Sequence, residues 1–148
     1  MIRDSDRYYG VVLNKIVDHF AGPTSIEKIP GRVPGFYLLR DNLPIYVKYS
    51  TSRRGPWSFT FHRSHQLAQQ KMAAQYGECI VALVCGQDGV AAMDHSSFRM
   101  VLDNDFDEQE AVLVRRKLKQ MYRVSGKDGV LESKVARNSL TKLMSLKK

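Results

Sequence analysis

Lys48 is the residue of this chain best placed to do chemistry. It lies on Pro44–Thr51, PIYVKYST, where Ile45, Val47 and Tyr49 alternate with Tyr46, Lys48 and Ser50. A period of two predicts a strand with one apolar face, and it sets a single ammonium between two hydroxyl side chains on the other. Such a lysine is either an ordinary solvated charge or the cation of a site for a negatively charged group, and its surroundings decide which. Ser52-Arg53-Arg54-Gly55-Pro56 follows as a basic turn, then His62, Arg63 and His65, and much later the run Arg115, Arg116, Lys117, Leu118, Lys119. Lysine and arginine bind phosphate as cations, and serine and histidine hydrogen-bond it. Lys48, Ser50, Ser52, Arg53, Arg54, His62, Arg63, His65, Arg115, Arg116, Lys117 and Lys119 are therefore the candidate contacts for a polyanion.

The distribution of charge points the same way. The net charge of +8 conceals two unequal parts. Residues 1–114 hold 12 Lys/Arg against 13 Asp/Glu, whereas residues 115–148 hold 11 against 2, a net of +9. A basic C-terminal quarter is the pattern of an arm for nucleic acid, or of a face for an acidic protein partner. A hydrophobic content of 43% over 148 residues supports one domain, expected over residues 1–132, with residues 133–148 as a basic tail. No apolar run has the length of a membrane span, and MIRDSDRYYG carries no signal-peptide core. Cys79 and Cys85 match neither a zinc site nor a disulfide framework and are expected as reduced, buried thiols of a cytoplasmic protein.

The elements that position these residues follow from periodicity. Ser5 or Asp6 caps a first helix to about Phe20, with Tyr9, Leu13, Ile16 and Phe20 as its apolar stripe. Residues 23–34 read as a loop with an extended passage around Ile26–Ile29. Phe36–Arg40, Pro44–Thr51 and Trp57–Phe61 read as an antiparallel three-strand meander, with Trp57, Phe59 and Phe61 on its buried face. Ser64 caps a second helix to Tyr76, with Leu67, Ala68, Met72 and Ala73 inward and Gly77 as its C-cap. Cys79–Cys85 is apolar throughout, the mark of a strand covered on both faces. Val90–Met93, a short helix to Leu102, and late strands at Ala111–Val114 and Met121–Val124 complete the chain. The acidic residues Asp103, Asp105, Asp107, Glu108 and Glu110 lack the tight-turn glycine of a calcium loop and are expected as a solvated loop.

Helix, meander, helix, strand and hairpin, with a lysine on the second meander strand, resembles the PD-(D/E)XK or restriction-endonuclease-like superfamily. Its pattern is roughly F-D-hydrophobic-hydrophobic, a polar turn, then hydrophobic-E-V-K; here the residues are F-Y-L-L, RDNLP and I-Y-V-K. SRRGPWSFTF and the LVCG…DG hairpin also look like segments of small bacterial members, and the resemblance covers residues 5–94. It implies an α/β fold with a restriction-endonuclease-like core, a mixed central sheet flanked by helices. In the family, carboxylates hold Mg²⁺ and the lysine stabilises charge beside a phosphodiester. Lys48 matches that lysine, but Tyr37 and Tyr46 stand at the two acidic positions. A phenol is neutral near pH 7 and gives a hard cation no anionic oxygen.

The expectation is thus a vestigial site of Tyr37, Tyr46 and Lys48, no cofactor, and binding of nucleic acid, DNA rather than RNA, without cleavage. If the two tyrosines share a cleft with Lys48 they stack bases or hold phosphate; otherwise they fill space. A protein-interaction module with an acidic partner is one alternative. The other is a Mg²⁺-dependent nuclease with a relocated acid, for which Asp18, Glu27 and Asp41 are the candidates. The histidines show no ligand spacing, and no serine sits in a nucleophile elbow.

Overall fold

The computed structural model describes residues 1–102 and 109–146. Most of the acidic stretch, Asp103 to Glu108, lies outside the described residues, as do Lys147 and Lys148. Its last carboxylate, Glu110, is buried and accepts a 2.7 Å hydrogen bond from Gln66 Nε2.

The apolar run at Cys79–Cys85 sets the architecture. β5 (Ile80–Cys85) is buried at every position and must be covered above, below and at both edges. β3 (Leu43–Ser50) lies parallel to it on one edge, with Lys48 beside Leu83, and β6 (Gly89–Met93) lies antiparallel on the other. β2 (Phe36–Leu39) and β1 (Ile26–Lys28) extend the β3 side, giving a mixed five-stranded sheet of order β1-β2-β3-β5-β6. β4 (Trp57–His62), β7 (Gln109–Arg115), β8 (Arg123–Gly126) and β9 (Gly129–Val130) form a second, antiparallel sheet. With α1 (Asp4–His19), α2 (Arg63–Tyr76), α3 (His95–Val101) and α4 (Ser139–Leu146), the described chain is a mixed α/β fold of four helices and two sheets.

The meander lies one strand earlier than the periodicity suggests. β1, β2 and β3 form it, so the extended passage at Ile26–Lys28 is a strand and Lys48 sits on the last meander strand, not the middle one. β4 leaves for the second sheet. Alternation shows which face is buried but is blind to which backbone edge is paired. β5, apolar on both faces, takes the edge of β3 that β4 was expected to use. The one-sided aromatic strand β4 instead lays Trp57, Phe59 and Phe61 against the face of the first sheet.

Two cores result. On one face Ile45, Val47, Ile80, Ala82 and Val84 meet Tyr8, Val12 and Ile16 of α1 and Leu140 and Met144 of α4. On the other, Tyr46, Val81, Leu83 and Cys85 meet the aromatic strand β4, with Val112, Val114 and Phe98. The α1 stripe keeps the expected Ile16 and Val12 at its centre but turns toward Tyr8, leaving Tyr9, Leu13 and Phe20 partly buried and Val17 exposed. In α2 the buried residues are Gln66, Gln69 and Ala73, while Leu67 is exposed. Gln69 tolerates burial because both ends of its amide are bonded: it donates to Cys79 O at 3.2 Å, and its Oε1 lies 3.1 Å from His95 Nδ1, whereas Gln66 is bonded through Nε2 alone among the described residues.

Residues 133–146, expected as part of a tail outside the domain, lie against it. Val135 bridges to Tyr122, Ser139 Oγ accepts from Ala92 N at 2.9 Å, and Leu140 and Met144 are in the core. The sequence offers this segment as basic and weakly helical through Val135, Leu140 and Leu143; the helix forms over Ser139–Leu146, with Leu140 and Met144 in the core and Leu143 beside it, while Val135 lies before it in the bridge. Leu140→Ala should accordingly lower the unfolding free energy by about 2–4 kcal/mol. Lys142→Ala, exposed two residues on, should change it by less than about 0.5 kcal/mol. Urea denaturation measures both; equally small effects would show that the segment is dispensable to the core.

Candidate functional site

β2 pairs with β3 only as far as Tyr46, and the last bond on that edge runs from Val47 N to Gly35 O at 2.8 Å. Gly35 is required there: its φ is 99°, and a Cβ would lie 2.6 Å from Val47 O. Beyond it the β3 edge opens into a cavity of about 320 Å³ lined by Tyr9, Val33, Pro34, Tyr46, Val47, Lys48, Tyr49 and His65. The sequence-predicted lysine thus does border a cavity.

Lys48 is half-buried, and burial depresses its ammonium to about 8. The ammonium donates to Thr60 O, lies 3.3 Å from His65 Nδ1, and sits 4.7 Å from the centroid of the Phe61 ring. His65 Nδ1 also accepts from His62 N at 3.2 Å. Burial first, then the charge of Lys48, lowers His65 to about 4, so at neutral pH this ring is an uncharged acceptor beside a cation. Thr60 O and His65 replace the water that Lys48 has lost.

The two tyrosines do not share the cavity. Tyr37 opposes Ile45, so it lies on the α1 side of the sheet, edge-on to Tyr9 at 6.2 Å. Tyr46 lies on the Lys48 side, where its neighbour on β2 is Phe36, stacked on it at 4.1 Å with 2° between the rings. Burial raises the phenols of both. The aromatic rings that do border the cavity with Tyr46 are Tyr9 and Tyr49, 5.7 Å apart edge to face, which the periodicity assigns to apolar faces and not to the site.

This lining does not fit Mg²⁺, which requires hard oxygen ligands with negative charge. It offers a lysine, a histidine and phenol groups, and no carboxylate. Among the described residues no three His, Cys, Asp or Glu side chains assemble as a metal-binding group. The relocated acids do not approach: Asp41 sits in the β2–β3 turn at the far end of β3, Glu27 opposes Leu38, and Asp18 accepts from Asn14 Nδ2 on α1. All three are exposed.

A second grouping lies at the carboxyl ends of β3 and β5. The 51–56 loop, the β5–β6 turn and the β7–β8 turn converge there. Gly86 N donates to Ser50 O and Trp57 Nε1 to Ser52 O, while Trp57 pairs with Val114. Arg53 and Arg54, on the loop that leads into Trp57, therefore share this end of the fold with Arg115, Lys117 and Lys119, which follow Val114, and all five are exposed. Arg116 turns inward. Its Nε and Nη2 grip Asp88 at 2.8 and 2.5 Å, and Tyr122 Oη donates to the same carboxylate at 2.8 Å. Arg137 Nη2 donates to Asp88 O at 2.6 Å. Asp88 is held below the usual carboxylate range, chiefly by Arg116. Exposed Arg123, directly opposite Arg115, joins the set. Arg123 and Arg137 belong to the basic quarter, but only the ladder register and the Asp88 contact single them out. His62 and Arg63 are exposed at the start of α2, nearer Lys48 than the arginines.

His65 gives the site a pH signature. Its depressed value means the unfolded chain takes up the proton first, so its contribution is complete above about 6.5 and is lost as pH falls through about 4. Between pH 7 and 4 the wild-type chain should lose about 2–4 °C more in Tm than His65→Gln, whose amide oxygen accepts without titrating; the figure allows for the partial exposure of the ring. Parallel Tm curves would remove His65 from the account. Comparison with family models, with curated proteins and with solved structures finds no match for this chain, so its function has to be read from these two groupings.

Proposed function

We propose that this is a non-catalytic nucleic-acid-binding protein on a degenerate PD-(D/E)XK scaffold. The observation that carries it is the basic end: exposed Arg53, Arg54, Arg115, Lys117, Lys119, Arg123 and Arg137 around a carboxylate, Asp88, that is already neutralised. Cations drawn from four separated stretches of chain repel one another, and a phosphate backbone is the ligand that relieves this. The end also lies beyond the carboxyl ends of parallel strands β3 and β5, where α/β folds bind ligands. A two-stranded ribbon such as β7–β8 matches a groove of B-form DNA better than the deep, narrow major groove of A-form RNA, which favours DNA.

For the scaffold, support comes from the order helix, meander, α2 and parallel β5, with Lys48 on β3 beside an open strand edge. The cavity lining argues against cleavage through Mg²⁺. The reading places the protein in the cytoplasm; among the described residues no helix is long and apolar enough to cross a membrane.

The test is binding of a fluorescent duplex to the full chain across a salt series. The slope of log affinity against log salt should be about −3 to −6, at about 0.9 per phosphate contact. Arg54→Ala and Lys117→Ala should each flatten it by about 1. No affinity at low salt would overturn the proposal.

A second reading, a protein-interaction module, has one observation in its favour. A groove of about 720 Å³ between β6, α3 and α4 is bordered by exposed Met100, Val130 and Leu146. A stoichiometric co-purifying protein together with salt-insensitive behaviour toward DNA would move the assignment there.

A further inference from the structure

The β7–β8 turn carries a feature that phosphate binding alone does not explain. Leu118 is 83% exposed, between exposed Lys117 and Lys119. Met121, 45% exposed, follows it. A leucine at the tip of a loop of loose chain would be unremarkable, but this tip is braced. Gln120 N donates to Lys117 O at 3.0 Å, and Lys119 takes the left-handed conformation, φ 64°. Arg116 Nη1 lies 3.3 Å from both Lys117 O and Gln120 O, and the rest of the same guanidinium is locked on Asp88. One arginine therefore ties the turn from inside and anchors it to the neighbouring sheet. The side chain this bracing presents to solvent is apolar.

The ribbon behind the tip has its own peculiarity. Arg115 and Arg123 are direct partners across the antiparallel ladder, both exposed. Like charges at that separation destabilise the pair they sit on. The arrangement makes sense if negative charge lies along both sides of the ribbon when it is in use, as the two phosphate strands flanking a groove of duplex DNA do.

Resting on the nucleic-acid reading above, we propose that Leu118 is a wedge. The arginines and lysines of the ribbon engage the two phosphate strands, the turn enters the minor groove, and Leu118 is pressed between adjacent base pairs, unstacking them and bending the duplex. Base-pair faces are the apolar surface a DNA duplex can offer, and they become accessible only if something rigid holds the step open. A flexible loop would give way; the Arg116 brace prevents that. An anionic membrane surface also attracts an apolar residue between lysines, but stable anchoring there takes more apolar burial than one leucine supplies.

The experiment uses the full chain and a duplex of about 30 base pairs, short against the DNA persistence length, carrying a donor and an acceptor dye at its ends. Affinity and its salt dependence are measured in the same titration. Wild-type protein should raise energy transfer on saturation. Leu118→Ala should bind within about tenfold of wild type with the same salt slope, and the rise in transfer should be lost. Leu118→Ile should restore it. If Leu118→Ala bends the duplex as wild type does, the wedge is wrong and the binding proposal stands. If wild-type protein binds no duplex, both fall. A parallel arm uses phosphatidylserine vesicles: salt-sensitive binding that disappears in Leu118→Ala, beside duplex binding without bending, would reassign the tip to membranes and overturn the wedge.

Discussion

The pairing of Arg116 with Asp88 is the interaction on which the basic end depends. Asp88 sits in the turn of the β5–β6 hairpin, so it belongs to the first sheet, whereas Arg116 and Tyr122 belong to the second. The C-terminal segment adds Arg137 to the carbonyl of the same residue. One acidic residue thus joins three parts of the chain at this end, adding to the backbone bridge between Tyr122 and Val135 that ties the second sheet to the C-terminal segment. The side chains are 10% and 19% exposed, enough removed from water for a bidentate pair to matter, and the phenol satisfies a further acceptor position of the carboxylate. Because Arg116 holds the carboxyl below its ordinary value, this contribution is complete above the usual carboxylate range and is lost as acid protonates Asp88.

Lys48 shows the opposite arrangement. It is a cation drawn into a largely apolar layer, with neutral partners and no carboxylate at its head. The free energy of that placement shows in its depressed ammonium: the folded protein would rather hold the amine uncharged, and its stability falls as pH drops from 10.5 through about 8. Near neutrality the cost is carried in full. A carbonyl, an imidazole and an aromatic face soften it without cancelling it. An apolar residue would serve the core better, so the lysine is retained at some expense beside a cavity that opens where β2 stops pairing.

The periodic signals were legible in the sequence; the pairing of edges was not. β5 announced its burial through an unbroken apolar run, and Gly77 announced the end of α2. β4 announced an aromatic face, but nothing in its alternation told whether Ser58 and Thr60 lay in the first sheet or the second. The displacement of Tyr37 from Lys48 has the same origin. Face parity across a hairpin depends on register, and the pairing of Tyr37 with Ile45 rather than Tyr46 puts it behind the sheet. Leu67 and Gln66 exchange roles because α2 packs beside bonded polar groups, Glu110 among them, that lie far off in sequence. At the basic end, Arg53, Arg54, Arg115, Lys117 and Lys119 were visible as cations, but Asp88 read as an ordinary turn residue. Its importance comes from partners 28 and 34 positions away.

Salt acts on the basic end in two opposed ways. In the free protein, Arg115 beside Arg123 and the lysines of the turn repel one another, and mobile ions reduce that repulsion, which favours the folded state. In a complex with a polyanion the same ions compete for the cations, which favours dissociation. An end selected for stability alone would not place two arginines opposite each other on a ladder, nor hold a leucine rigidly in water between two lysines. Neither choice favours the isolated chain, and under the nucleic-acid proposal each becomes favourable when an extended anion with apolar faces is laid against it. The Arg116–Asp88 pair allows both to coexist in one folded state: it supplies local order that lets the ribbon keep its shape with Arg115 and Arg123 opposed across it.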